Sequence, residues 1–376
     1  MAPNNSKLAH SAFFLLSIAL LHPGMPLGAA EASSTAAKAK LKLIYDGDIG
    51  PDPCDFTTLS MLHEYHRHGW IDLLGVAGEA PDPYLASTFS IYNQAYKNDV
   101  PIGAYDPKNW GKVFSDDVVN RYQNAARGGC HSEQNKTIFE KFGNADTLTA
   151  EKVVEPVTLY RKLLSAAEDN SVVIYAAGQL YNFPVLLNSP ADNISPLTGK
   201  QLFAAKVKEV IFMGGCFPDS KGNPFKGTDG AEWNWWAFAN RNTTKNTMET
   251  LASLGKPLTY IGWEQGVKVP IGKEMVKKLG RKHPTTESYF LMRHVKPDAT
   301  ELPADNPAFD DLGLFYAVEG GVGKYLNKVR GRVQVDEKGG NAWVADEYGK
   351  EAYITIIPGK EPELRKILAD RITGNY

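Results

Sequence analysis

Short, largely apolar segments recur along the chain, each followed by a stretch with helical spacing, and this alternation constrains the fold most. Residues 41–45, 71–77, 100–103, 171–176, 207–213 and 257–261 are too short for buried helices and read as strands. Strands apolar on both sides must be covered on both faces, which indicates parallel pairing beneath helices. Between them, residues 56–66 place Leu59, Leu62 and Tyr65 near helical spacing, and residues 84–96, 148–167 and the segment opening at 310 read as further helices. Residues 104–147, rich in Gly, Asn and Asp, read as a long loop or insertion. Residues 328–357 read as β-rich, and 361–372 as a closing helix. The expected fold class is α/β: an open, mainly parallel, Rossmann-like sheet with helices on both faces. No linker, repeat or low-complexity stretch divides residues 41–376, so one domain is expected there. Ligands of such sheets bind at the carboxyl ends of the strands.

Composition narrows the function classes. Lys and Arg number 41 against 43 Asp and Glu, a formal charge of −2. That balance provides no basic footprint for nucleic acid and no polybasic patch for lipid. The cysteines at 54, 130 and 216 are too few for a disulfide scaffold and lack zinc spacing. The apolar run from Ala12 to Leu21 is too short to span a bilayer and is broken by His22-Pro23-Gly24; small residues follow at Gly28-Ala29-Ala30. Residues 1–30 therefore read as a signal peptide and 31–40 as a flexible lead-in. The expected location is secreted or periplasmic, with no membrane attachment after cleavage. Asn135, Asn193 and Asn242 head glycosylation sequons.

The strongest chemical signal follows the first strand. Asp46, Asp48, Asp52 and Asp55 crowd a Gly/Pro loop that opens a helix. A lone Asp there is an ordinary helix N-cap. Several carboxylates at one strand end repel each other and suit a hard cation such as Ca²⁺ or Mg²⁺. Further polar groups stand at later strand ends: Gly178-Gln179-Leu180-Tyr181-Asn182, Met213-Gly214-Gly215, Gly222-Asn223, Glu232-Trp233-Asn234 and Asp310-Asp311.

Their order resembles the inosine/uridine-preferring nucleoside hydrolases over residues 41–372. The loop matches a longer form of that family's opening motif as Asp46, Asp48, Gly50, Asp52, then Cys54-Asp55. The resemblance implies a nucleoside hydrolase-like fold and a Ca²⁺-dependent N-ribohydrolase acting on a small-molecule nucleoside. Asp48, Asp55, the main-chain carbonyl of Ala177 and Asp310 would hold the ion. Asp48 would also take the proton from the attacking water, while Asn223, Glu232 and Asn234 would bind ribose hydroxyls. Relatives of this kind often associate, so a homo-oligomer is an expectation. Four positions depart from the family: Cys54 replaces an Asp that meets the sugar, Glu79 replaces an Asn beside the ribose, Phe309 precedes Asp310 in place of a polar residue, and Asn240 stands where many members have Asp. Asp52, Cys54 and Glu79 are thus expected on the substrate side. These departures leave a second reading, a non-catalytic Ca²⁺- or sugar-binding relative with an altered pocket. A third is an unrelated enzyme with an Asp-x-Asp loop, such as a phosphohydrolase. It would want a basic or glycine-rich anion cradle near the loop, and the sequence shows none.

Overall fold

The computed structural model describes residues 40–50, 52–124, 131–219, 235, 241–292, 300–337 and 339–376. The signal-peptide reading, Cys130, Asn223, Glu232 and Asn234 lie outside them.

Among the described residues, nine strands form one sheet: β1 (Leu41–Gly47), β2 (Ile71–Gly78), β3 (Ile102–Gly103), β4 (Val172–Ala177), β5 (Val207–Met213), β6 (Leu258–Ile261), β7 (Leu326–Val335), β8 (Asn341–Ala345) and β9 (Glu351–Ile356). Their order is β3-β2-β1-β4-β5-β6-β9-β7-β8. The strands from β3 to β9 pair in parallel, and β7 and β8 close the far edge antiparallel.

The helices α1 (Pro53–Arg67), α2 (Leu85–Tyr96), α3 (Asp116–Asn124), α4 (His131–Phe142) and α5 (Pro156–Ala166) precede β4. Then α6 (Asn182–Leu187) and α7 (Gly199–Lys206) lead to β5, and α8 (Arg241–Ser253) to β6. After β6 come α9 (Trp263–Gly266), α10 (Lys273–Leu279), α11 (Pro284–Met292) and α12 (Phe309–Glu319); α13 (Glu361–Ile372) ends the fold.

The apolar strands are buried on both faces, as their sequences require. Leu43, Tyr45, Val173 and Tyr175 enter one core cluster, while Ile44, Ile174 and Ala176 enter the other. This is the two-residue period of a strand divided between two helical layers. Helix α1 lies within the first layer and is buried from Pro53 to Tyr65. Full burial of Phe56, Leu59 and Leu62 contributes about 1.5–3 kcal/mol each, against about 1 kcal/mol for a good cap, so packing places this helix. Its polar residues can be buried because they are paired: Thr57 and Thr58 donate to Asp311 at 2.9 and 3.2 Å, and Ser60 meets Thr285 at 2.6 Å.

Two expectations need correction. Residues 104–147 are largely helical: a short 3₁₀ turn (Pro107–Lys112) is followed by α3 and α4. Gly, Asn and Asp there do not prevent helix because tertiary packing outweighs weak propensities. The helix expected over 148–167 begins only at Pro156, where the proline's fixed φ suits the first helical position. Asn135 cannot carry a glycan in this fold. It is fully buried, its amide nitrogen donating to Ile49 O and Asp82 and its oxygen accepting from Thr88.

Candidate active site

The strand order reverses direction between β1 and β4. The chain runs from β1 outward through β2 to β3, then returns to build β4 on the other side of β1. Such a switch point leaves a crevice at the carboxyl ends of the strands. Register places the chemistry there. Gly47 pairs with Gly78 on β2 and with Ala177 on β4, so the next residues, Asp48, Glu79 and Gly178, stand at one level.

The acidic loop winds into the start of α1. Asp52 caps the helix, accepting from Cys54 N at 2.7 Å, and Asn306 Nδ2 donates to the same oxygen at 3.2 Å. Asp55 completes a capping box: its Oδ2 accepts from Asp52 N at 3.2 Å and from Gly50 N at 2.9 Å. Cys54 is buried, and its Sγ lies 3.9 Å from Asp55 Oδ1. Asp310, in the first turn of α12, faces the same carboxylates, and its main-chain carbonyl accepts from Tyr175 at 2.6 Å. Burial, then the Asp55 charge, raises the Asp48 carboxyl well above its ordinary range. Burial and Asp52 push Asp55 up to about 7. Asp310 is raised by burial and by Asp55.

A second acidic pair, Asp46 and Glu79, adjoins these carboxylates. Asp46 faces α5 and is held by Tyr160 at 2.5 Å and by Asn182 Nδ2 at 3.0 Å; burial pushes it up to about 7. Glu79 has no exposed surface, and its Oε2 accepts from Tyr181 N at 3.1 Å. A Cβ on Gly178 would come within 1.8 Å of Glu79 Oε1, so Glu79 lies directly over that glycine. The turn beyond it holds Leu180 at φ +65°, a left-handed conformation unusual for a branched side chain and costing on the order of 1–3 kcal/mol.

Two further groups meet Asp48. Tyr122, from α3, donates to its Oδ2 at 3.3 Å, and Gln179 Nε2 donates to the same oxygen at 3.1 Å. Tyr122 and Gln179 also bond to each other. Sequence reading missed both. Tyr122 lies in the segment read as a loop, and its only signal is a place on the apolar side of α3 near Val118. Gln179 sits in a quoted strand-end segment, but nothing in the sequence aims it at Asp48.

The structure therefore brings together Asp48, Asp55, Asp310 and the end of β4 at Ala177. It also places Asp52 and Cys54 beside them, Asp52 as a cap and Cys54 against Asp55. Glu79 is close by, packed against Gly178 and fully buried.

These residues fit a hard divalent cation. Asp310 Oδ2 is buried without a hydrogen-bond donor, and neighbouring carboxylates repel it. A shared proton or a cation would satisfy it. The tightest group of ligand-type atoms among the described residues is Asp52, Cys54 and Asp55, within 4.8 Å of one another. Within it Asp52 is committed to the cap and the Cys54 sulfur is a soft donor, whereas the carboxylates of Asp48, Asp55 and Asp310 and the Ala177 carbonyl are oxygen donors of the kind a hard cation takes.

No family model matches the chain, and no curated protein matches its sequence. Solved structures match its fold. A plant nucleoside hydrolase superposes with a TM-score of 0.56 at 14% identity, over 89% of this chain and 99% of its own. The inosine-uridine preferring nucleoside hydrolase from Bacillus anthracis gives 0.56 at 14%, over 89% and 100%. The type III effector protein XopQ complexed with adenosine diphosphate ribose gives 0.58 at 15%, over 89% and 94%. The architecture built from these strands and helices is the nucleoside hydrolase fold.

Proposed function

We propose that the protein hydrolyses an N-glycosidic bond of a nucleoside or related ribosyl compound with the help of a divalent cation, Ca²⁺ by its donor set. The observation that carries this reading is the group of buried carboxylates Asp48, Asp55 and Asp310 at the β1–β4 switch point, one oxygen of which lacks a donor. The fold shared with nucleoside hydrolases supports it.

When bound, the cation supplies Lewis acidity that favours loss of a proton from water and anchors sugar hydroxyls. Asp48 accepts the proton of the attacking water on its carboxylate. The oxygen then bonds to C1′ as the C–N bond breaks, and the bonding pair leaves with the nucleobase through an oxocarbenium-like sugar. Asp55 and Asp310 hold their carboxylates against the same centre. The half-buried rings of Phe309 and Trp263 stack 6.1 Å apart, Phe309 next to Asp310 in sequence, and are assigned the stack against the base. Asn223, Glu232 and Asn234 are assigned to the ribose hydroxyls from the sequence. Export through the signal segment at 1–30, a single domain over 41–376 and self-association belong to the same proposal.

A second reading, a ribosyl-binding protein without hydrolysis, is favoured by Glu79, which is buried where a sugar contact was expected. The two separate by one measurement: ribose release by the purified protein from a panel of purine and pyrimidine nucleosides, with Ca²⁺ and with chelator. Chelator-sensitive release that disappears in Asp48→Asn supports hydrolysis. No release while ribose still binds supports the second reading.

A further inference from the structure

Gln179 is buried, with only 1% of its surface exposed, and its amide is half used. The Nε2 end faces Asp48, and when Asp48 is ionised to act as the base it can only accept, so the reverse orientation would set two acceptors against each other. That orientation leaves Oε1 buried with no donor. An unmet buried acceptor costs about 1–3 kcal/mol. It is retained here on a turn that also holds Leu180 in a strained conformation. Tyr122 reaches the same carboxylate oxygen from α3, an element outside the sheet, and has no exposed surface.

We propose that Gln179 and Tyr122 form a clamp that fixes the Asp48 carboxylate, and that Gln179 Oε1 accepts a hydrogen bond from the water Asp48 deprotonates. The proposal rests on the hydrolase reading for the water and on geometry alone for the clamp. Two donors on Oδ2 fix the carboxylate's rotation and direct its other oxygen at the reacting centre. Such outer partners of a ligating carboxylate typically govern metal affinity or rate by 10–100-fold. Gln179 and Tyr122 are positioning residues toward Asp48, and Gln179 adds a contact to the nucleophile.

The test compares Tyr122→Phe and Gln179→Met, both close in volume to the native side chains, with wild type. Melting temperature serves as the control for folding. In both variants kcat falls by roughly 10–100-fold with KM little changed, and Ca²⁺ affinity measured by calorimetry on the full chain falls as well. Ribose affinity stays at the wild-type value. Wild-type kcat and Ca²⁺ affinity in both well-folded variants overturn the clamp. A loss borne by KM and ribose affinity overturns the water contact, because Gln179 then serves a sugar hydroxyl. If the wild-type protein releases no ribose at all, the hydrolase reading fails, the water contact fails with it, and the Ca²⁺ titration alone decides the clamp.

Discussion

Single residues at this site are constrained by what stands within a few ångströms. Gly178 has no room for a side chain, since a Cβ there would meet Glu79 Oε1 at 1.8 Å and Asp48 N at 3.1 Å. Gly178→Ala should therefore destabilise the protein by about 1–3 kcal/mol. Combining it with Glu79→Ala should recover part of that loss in a denaturant titration, because the pair shares one clash. Asp310 is the second case. Its carboxyl is buried against Asp55, so on the proposed ligand set removing it takes away a ligand rather than a surface charge. Asp310→Ala should weaken Ca²⁺ binding by more than tenfold, beyond the roughly 1 kcal/mol of an exposed ion pair. Unchanged affinity by calorimetry would remove Asp310 from the ligand set. At this scale the acidic loop could be read from the chain, because its carboxylates Asp46, Asp48, Asp52 and Asp55 lie close together in sequence. Tyr122 and Gln179 could not, because they lie 74 and 131 residues from Asp48 and only folding joins them.

Whole elements are tied to the site by buried polar contacts. Helix α4 is fastened to the acidic loop by Asn135, which donates to Ile49 O at 2.6 Å and to Asp82 Oδ2 at 2.8 Å. Tyr84 N donates to the other Asp82 oxygen at 2.8 Å. Burial nevertheless dominates and raises Asp82 from 3.8 to about 6. Its contribution is therefore fully present below about pH 4 and is lost as pH rises through about 6, a change of about 3 kcal/mol. Wild type should lose stability relative to Asp82→Ala across pH 4 to 7. A constant difference in unfolding free energy over that range would refute the buried, raised carboxyl. The strands over 207–213 and the helix over 361–372 were readable to the residue, because strong apolar patterning and turn residues bound them. The helices within 104–147 were not, because what holds them is packing of α4 on α2 and α11 and bonds from Tyr122 and Asn135 to the residues after β1 rather than their own pattern.

For the whole molecule, the carboxylate group is a source of instability unless something neutralises it. Asp48 and Asp310 are raised by burial and by Asp55, and Asp55 by burial and by Asp52, so ionising them together opposes folding. A cation that binds only the folded chain offsets this and adds about 2.7 kcal/mol at one hundred times its Kd. The melting temperature at neutral pH should rise with Ca²⁺ and fall with chelator, and the rise should vanish in Asp310→Ala. No change on adding Ca²⁺ would argue for shared protons at this centre.

By itself, the sequence determined the α/β alternation, the carboxylate loop at the first strand end and the collinear order of polar strand ends. Each of these is local in the chain, carried by periodicity or by neighbours within a few residues. Tertiary structure alone decided that β4 returns beside β1, which sets Asp48, Glu79 and Gly178 at one level. It also packed Glu79 against Gly178 and brought Tyr122 and Gln179 onto Asp48. Those outcomes depend on register between distant strands and on which helix covers them, and no short stretch of chain encodes either.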